Sequence, residues 1–141
     1  MKNYTLGLIF NSAVDRVVLM KKNRPDWQKG KLNGIGGHIN EGESNIECIV
    51  REAEEETGLT TSPSDWKHAA TLGGPDWNMD VFSLVCRGNE ADVKTCTDEK
   101  VSWYDIECLP SNVITNVRWL VPLALDKLQD NQLGTVVVRY Q

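Results

Sequence analysis

Apolar and polar residues follow two different spacings along the chain, and the change from one to the other marks its elements. Residues 4–10 form a nearly unbroken apolar run of strand length, and 16–22 (RVVLMKK) form a second. Asn11, Ser12, Ala13 and Asp15 suit a connection between them. Strands are also expected over 32–37, 66–72, 79–86 (MDVFSLVC), 101–104 and 135–140. The period changes over 44–57, where Ile46, Ile49, Val50, Ala53 and Thr57 recur at helical spacing and predict one buried face. Ser44 with Glu47 is a capping-box pair that starts this helix, and Gly58 suits the left-handed position that ends it. Residues 113–129 repeat the helical spacing, interrupted or kinked at Pro122, with Trp119, Leu123, Leu125 and Leu128 expected in the core. Residues 87–97 are polar and read as a mobile loop. Strands interleaved with two helices predict a mixed α/β domain.

The helix over 44–57 carries more charge than a fold requires. Glu52, Glu55 and Glu56 share a sector of about 100° beside its apolar face, while Glu54 falls outside it. Such crowding costs stability through repulsion, which a bound cation relieves. Oxygen donors on a rigid support suit hard divalent ions such as Mg²⁺ and Mn²⁺. Arg51 lies one turn from both Glu47 and Glu55 and is expected to neutralise and orient them. A solvated acidic face is the usual meaning of a glutamate run. Here the preceding glycines, the arginine and their spacing point to a site.

The remaining composition limits what that site serves. At 141 residues the chain is expected to form a single domain, 1–141. A net charge of −5 argues against nucleic-acid binding and requires local charge inversion to hold an anionic substrate. The four cysteines, Cys48, Cys86, Cys96 and Cys108, are widely spaced and form no C-x-x-C pair. That spacing argues against zinc and a disulfide framework, and for a reducing compartment. His38 and His68 read as solvent-facing or structural. With no membrane-length apolar run and no signal-peptide pattern, a cytoplasmic protein is expected. Lys21, Lys22 and Arg24 form a basic cluster suited either to solvent or to substrate phosphates. Trp27, in a loop, either stacks on a base or folds back on the domain.

From Gly37, the spacing Gly-x5-Glu-x7-Arg-Glu-x-x-Glu-Glu-x-Gly is filled by Glu43, Arg51, Glu52, Glu55, Glu56 and Gly58, with Leu59 next. This stretch resembles the Nudix box, with Ala53 a small choice for its apolar slot. The resemblance implies an α/β/α sandwich with a mixed central sheet and a loop-helix-loop catalytic motif. It also implies hydrolysis of a nucleoside diphosphate linked to another group, using Mg²⁺ or Mn²⁺. Carried onto this chain, it makes Glu52 and Glu56 the main metal ligands, with Glu55 sharing the ions or activating water. Arg51 becomes an orienting residue, and the Gly36 carbonyl a further ligand. A later acidic ligand is expected at Glu99, with Asp98 and Glu90 as weaker candidates.

The stretch through Lys22 and 32–37, with 75–81 and the Trp103 region, resembles the oxidised-purine nucleoside triphosphatase (MutT-like) branch. That likeness places Asn33 on the base and Trp119 beside it, with Lys22 and Trp27 as further substrate contacts. The 112–119 segment is shorter than in that branch and lacks its acidic pair, so the identity of the base stays open. Pro75, sixteen residues beyond Leu59, is the cue for ADP-ribose pyrophosphatases, or else part of a Gly-Gly-Pro-Asp turn. The readings in order are a triphosphate pyrophosphohydrolase, an ADP-ribose pyrophosphatase, and a non-catalytic nucleotide-sensing module. The expected partner is a small nucleotide, the expected assembly a monomer or homodimer.

Overall fold

The computed structural model describes residues 1–130 and 132–141. In chain order the elements are β1 (Lys2–Phe10), β2 (Arg16–Lys21), β3 (Leu32–Asn33), β4 (Ile35–His38), α1 (Asn45–Thr57), β5 (Lys67–Gly73), β6 (Trp77–Val85), β7 (Val101–Asp105), α2 (Val117–Gln129) and β8 (Val137–Arg139). The strands join in one mixed sheet, ordered β3-β2-β1-β6-β5-β8, with β4 also on β1 and β7 on β2. β1 runs parallel to β6, from Lys2↔Trp77 to Phe10↔Val85, and β8 runs parallel to β5. The other pairs are antiparallel.

The position of β1 explains why its sequence is apolar from Leu6 onward. Leu6, Leu8 and Phe10 face a core closed by Val117, Leu120, Val121 and Ala124 of α2. Ile9 points to the opposite face, into a core closed by Ile49 and Ala53 of α1 and by Trp66. A strand covered on both sides has no polar face to show. The result is the α/β/α sandwich the sequence predicts.

Several expectations need correction. The strand over 32–37 is two strands that change partner at Gly34: Asn33 pairs with Met20 of β2, and Ile35 pairs with Gly7 of β1. A Cβ at Gly34 would sit 2.8 Å from the Gly7 carbonyl oxygen, so the crossing needs glycine. The second helix begins at Val117 rather than 113, because Val113 bridges Leu32. It runs through Pro122, whose missing N–H spares only the carbonyl of exposed Arg118. Trp119 is exposed rather than core; Val117, Leu120, Val121 and Ala124 take that place. Residues 87–97 are tied to the domain: Lys94 N–H donates to the Thr57 carbonyl, and the Trp103 indole to the Glu90 carbonyl. No helix among the described residues is long and apolar enough to cross a membrane.

Candidate active site

The site forms where β4 passes beneath α1. Ser44 caps α1 by accepting from the Glu47 amide, and the Glu47 carboxylate in turn accepts from the Ser44 amide. Gly58 ends the helix at φ 78°. Ile49, Ala53 and Thr57 are buried as expected, and Cys48 and Glu56 are buried with them. This fixes the helix's rotation: Glu52 and Glu56 face β4, Glu54 faces water, and Glu55 lies at the rim with a side chain 56% exposed.

Two glycines make the contact possible. Gly36 sits at φ 137°, and a Cβ there would collide with the Thr5 carbonyl. Its amide donates to Glu56 Oε1 at 2.8 Å. A Cβ on Gly37 would stand 2.6 Å from Glu52 Oε1, so glycine is what lets that carboxylate lie against the loop. Glu56 is only 8% exposed. Burial pushes its carboxyl up to about 7, the Gly36 amide opposing and the Glu52 charge adding. Burial raises Glu52 too, against the pull of Arg51.

Arg51 is the hub of the cluster. It grips Glu43 with both arms of its fork, Nε to Oε2 at 2.7 Å and Nη2 to Oε1 at 3.0 Å. Nη1 donates to Glu52 Oε1 at 3.0 Å and Glu55 Oε2 at 3.2 Å, and Nη2 to the His38 carbonyl at 3.1 Å. The expected partner Glu47 is occupied by the helix cap, and Glu43 takes its place. Arg51 holds the Glu43 carboxyl down at about 2, helped by the Asn40 amide.

Glu99 is 6% exposed and accepts from Lys22 Nζ at 3.0 Å and from the Asn23 amide at 2.6 Å. Burial alone would raise its carboxyl, but those two bonds carry it below its ordinary value. Its charge and that of Lys22 are both felt at Glu56. Asp98 pairs with Arg24, while Glu90 is bound to Asn11 and Arg16, away from the cluster.

Among the described residues, no three acidic, imidazole or thiol side chains converge into a ready ligand cage. Each carboxylate is already engaged: Glu52 and Glu55 by Arg51, Glu56 by the Gly36 amide and Glu99 by Lys22. The donor set nonetheless fits an oxygen-preferring divalent ion, because Glu52 and Glu56 bear a charge that burial penalises and a cation relieves.

A cleft of about 1160 Å³ runs from this loop across the sheet. Gly36, Gly37 and His38 form one end. The sequence-predicted Lys22, Trp27, Asn33 and Trp119 all line it. Trp27 is 62% exposed, and the Asn33 amide donates to Gln28 Oε1 at 3.2 Å. Trp77, Tyr140 and Met79 also line the cleft and were not anticipated as site residues. Trp77 and Tyr140 meet in a tilted ring contact with centroids 5.5 Å apart, although sixty-three positions separate them. Only the parallel pairing of β8 with β5 brings them together, and no local motif signals it.

A model of the NUDIX domain matches residues 2–126. The chain belongs to the Nudix family. An oxidized purine nucleoside triphosphate hydrolase of Danio rerio is 30% identical over 129 residues, covering 86% of this chain and 80% of that protein. A putative nudix hydrolase of Caenorhabditis elegans is 27% identical over 117 residues, and an NAD-capped RNA hydrolase of Chromobacterium violaceum 25% over 114. Each alignment covers 79% of this chain, which spans only 31% and 43% of those longer proteins. Among solved structures, a MutT Nudix hydrolase of Burkholderia pseudomallei superposes with a TM-score of 0.73 at 18% identity, covering 86% of this chain and 96% of that one. An ADP-ribose pyrophosphatase of Streptococcus suis superposes with a TM-score of 0.73 at 19% identity, covering 96% and 98%. Its fold is MutT-like, and hydrolases of this family generally use divalent metal ions.

Proposed function

We propose that the protein, acting as one domain in the cytoplasm, hydrolyses a nucleoside triphosphate, including a modified or oxidised purine, to the monophosphate and pyrophosphate with Mg²⁺. The observation that carries this reading is the cleft. It combines aromatic walls with Lys22, Arg24 and Lys31, and ends at the glycine loop beside Glu52 and Glu56. Base stacking and phosphate pairing are the two interactions a nucleotide offers. The relative from Danio rerio, whose name specifies an oxidized purine nucleoside triphosphate, supports the same choice.

In this reading Glu52, Glu55, Glu56, Glu99 and the Gly36 carbonyl hold the cation. The bound ion supplies charge neutralisation at phosphate oxygens and a water of lowered pKa. Arg51 keeps Glu52 and Glu55 oriented, and one carboxylate of the set Glu52, Glu55 and Glu56 takes the proton of the attacking water. Lys22 receives phosphate. Asn33 offers both a donor and an acceptor to a base edge, while Trp27 and Trp119 flank the base.

A second reading, ADP-ribose hydrolysis, is favoured by the turn at Pro75. The Gly74 amide donates to the Trp77 carbonyl at 2.9 Å and delivers Trp77 to the cleft. Product analysis with Mg²⁺ separates the two, using ordinary and 8-oxo nucleoside triphosphates, ADP-ribose, NADH and a dinucleoside polyphosphate. Pyrophosphate release from triphosphates, strongly reduced by Glu56→Gln, is the expected result. AMP and ribose phosphate released from ADP-ribose alone would overturn it in favour of the second reading.

A further inference from the structure

The Lys22–Glu99 pair lies mostly out of water, with side chains 15% and 7% exposed. Yet Lys22 also lines the substrate cleft. Its backbone is pinned: the Lys22 amide donates to the Lys31 carbonyl, and the Gly30 amide to the Lys22 carbonyl, both at 2.8 Å. Movement at this position is therefore left to the side chain. A lysine suits that, being a compact charge on a flexible stem. Glu99 has two separate attachments. The Asn23 amide holds Oε2, and Lys22 holds Oε1 at 3.0 Å, with Arg24 Nη1 at 3.9 Å. If Lys22 left, the backbone bond would keep the carboxylate in place. That would leave the buried carboxylate with only the longer contact to Arg24, itself paired with Asp98, which is unfavourable and favours arrival of a second cation as the first departs.

Building on the metal-dependent reading above, we propose that Lys22 is an exchangeable counter-ion. Its ammonium and a divalent cation compete for the Glu99 carboxylate, and Lys22 released from Glu99 turns into the cleft to take a substrate phosphate. The exchange makes cation and phosphate binding mutually supportive, because each favours the position of Lys22 that the other needs. It also gives Glu99 two successive partners, which reconciles its salt bridge with a ligand role.

The test uses the full chain without nucleotide. Mn²⁺ binding is followed by electron paramagnetic resonance for the natural chain, Lys22→Gln and Lys22→Arg, with thermal unfolding as a check on folding. Removing the competing charge is expected to tighten Mn²⁺ binding about fivefold or more, the lower range of coupling between linked sites. Lys22→Arg keeps the charge and is expected to remain near the natural value. Because Lys22→Gln strands a buried carboxylate, a second measurement needs no variant. Amine acylation of Lys22, read by mass spectrometry, is expected to rise severalfold on saturation with Mn²⁺, while exposed Lys29 does not change. Unchanged or weaker Mn²⁺ binding by folded Lys22→Gln, or unchanged Lys22 labelling, overturns the exchange. If the natural chain binds Mn²⁺ and Glu56→Gln weakens that binding, the metal-dependent reading survives such a failure. If the natural chain binds none, both fall together.

Discussion

At the scale of single residues, the site depends on two positions that cannot be traded for near neighbours. Gly36 combines a backbone angle that side chains rarely adopt with direct contact to β1. Gly36→Ala must bend the strand or break the Glu56 bond, and is expected to cost about 2 kcal/mol or more, as strained backbone positions do. Chemical denaturation would measure the loss, and kcat should fall with it. Arg51 makes six hydrogen bonds to the groups around it, including the two-armed grip on Glu43. A lysine cannot reproduce that fork. Arg51→Lys is expected to destabilise by roughly 1–3 kcal/mol, the range for charged hydrogen bonds in a partly buried setting. It should also lower kcat more than it raises KM, because Glu52 and Glu55 lose their orientation. A KM-only effect in steady-state kinetics would contradict this role.

At the scale of elements, α1 must be docked on the sheet as well as capped. Asp80 of β6 performs part of that docking. It accepts from Asn45 Nδ2 at 3.1 Å and from Thr71 Oγ1 at 2.8 Å, and lies 3.0 Å from His68 Nε2. Burial would raise its carboxyl, but the bonds from Asn45, Thr71 and His68 outweigh burial and hold it low. A depressed carboxyl stabilises the fold fully above its unfolded pKa and loses that contribution as pH falls through its folded value. The contribution is therefore intact at neutral pH and fades below about 4, the ordinary aspartate range. Unfolding midpoints from pH 7 to 3 should show a steeper acid loss for the natural chain than for Asp80→Asn. Parallel profiles would remove Asp80 from this role.

At the scale of the whole molecule, the proposed cation site predicts that stability is linked to cation binding through the buried carboxylates at one end of the sheet. A ligand at a hundred times its Kd adds about 2.7 kcal/mol to a fold that binds it. Saturating Mg²⁺ is expected to raise the unfolding midpoint of the natural chain by several degrees, reversibly with a chelator. Glu56→Gln should lose most of that increment. Calorimetry with and without Mg²⁺ checks both, and an equal increment in the variant would place the ion elsewhere.

The local features of this protein were legible in the chain itself because they depend on near neighbours. Ser44, Glu47 and Gly58 specify where α1 starts and stops, and the box spacing groups Glu52, Glu55 and Glu56, of which packing turns Glu52 and Glu56 inward and leaves Glu55 at the rim. The apolar run over 4–10 announced a strand, and the structure covers it on both faces. Other features arose from packing between distant segments. Glu43 rather than Glu47 became the partner of Arg51, because the cap consumed one carboxylate and the loop's fold delivered the other. Trp119 left the core because Val117, Leu120, Val121 and Ala124 form the face of α2 that packs on the sheet, and Trp119 lies off it. Trp77 met Tyr140, and Lys22 met Glu99, through strand pairings that no local pattern encodes. Helix caps and motif spacing act within a few residues, whereas strand partners are chosen by the fit of whole faces. The sequence alone therefore determined the glycine loop and the carboxylate-bearing helix, and the tertiary structure decided the walls and charges that surround them.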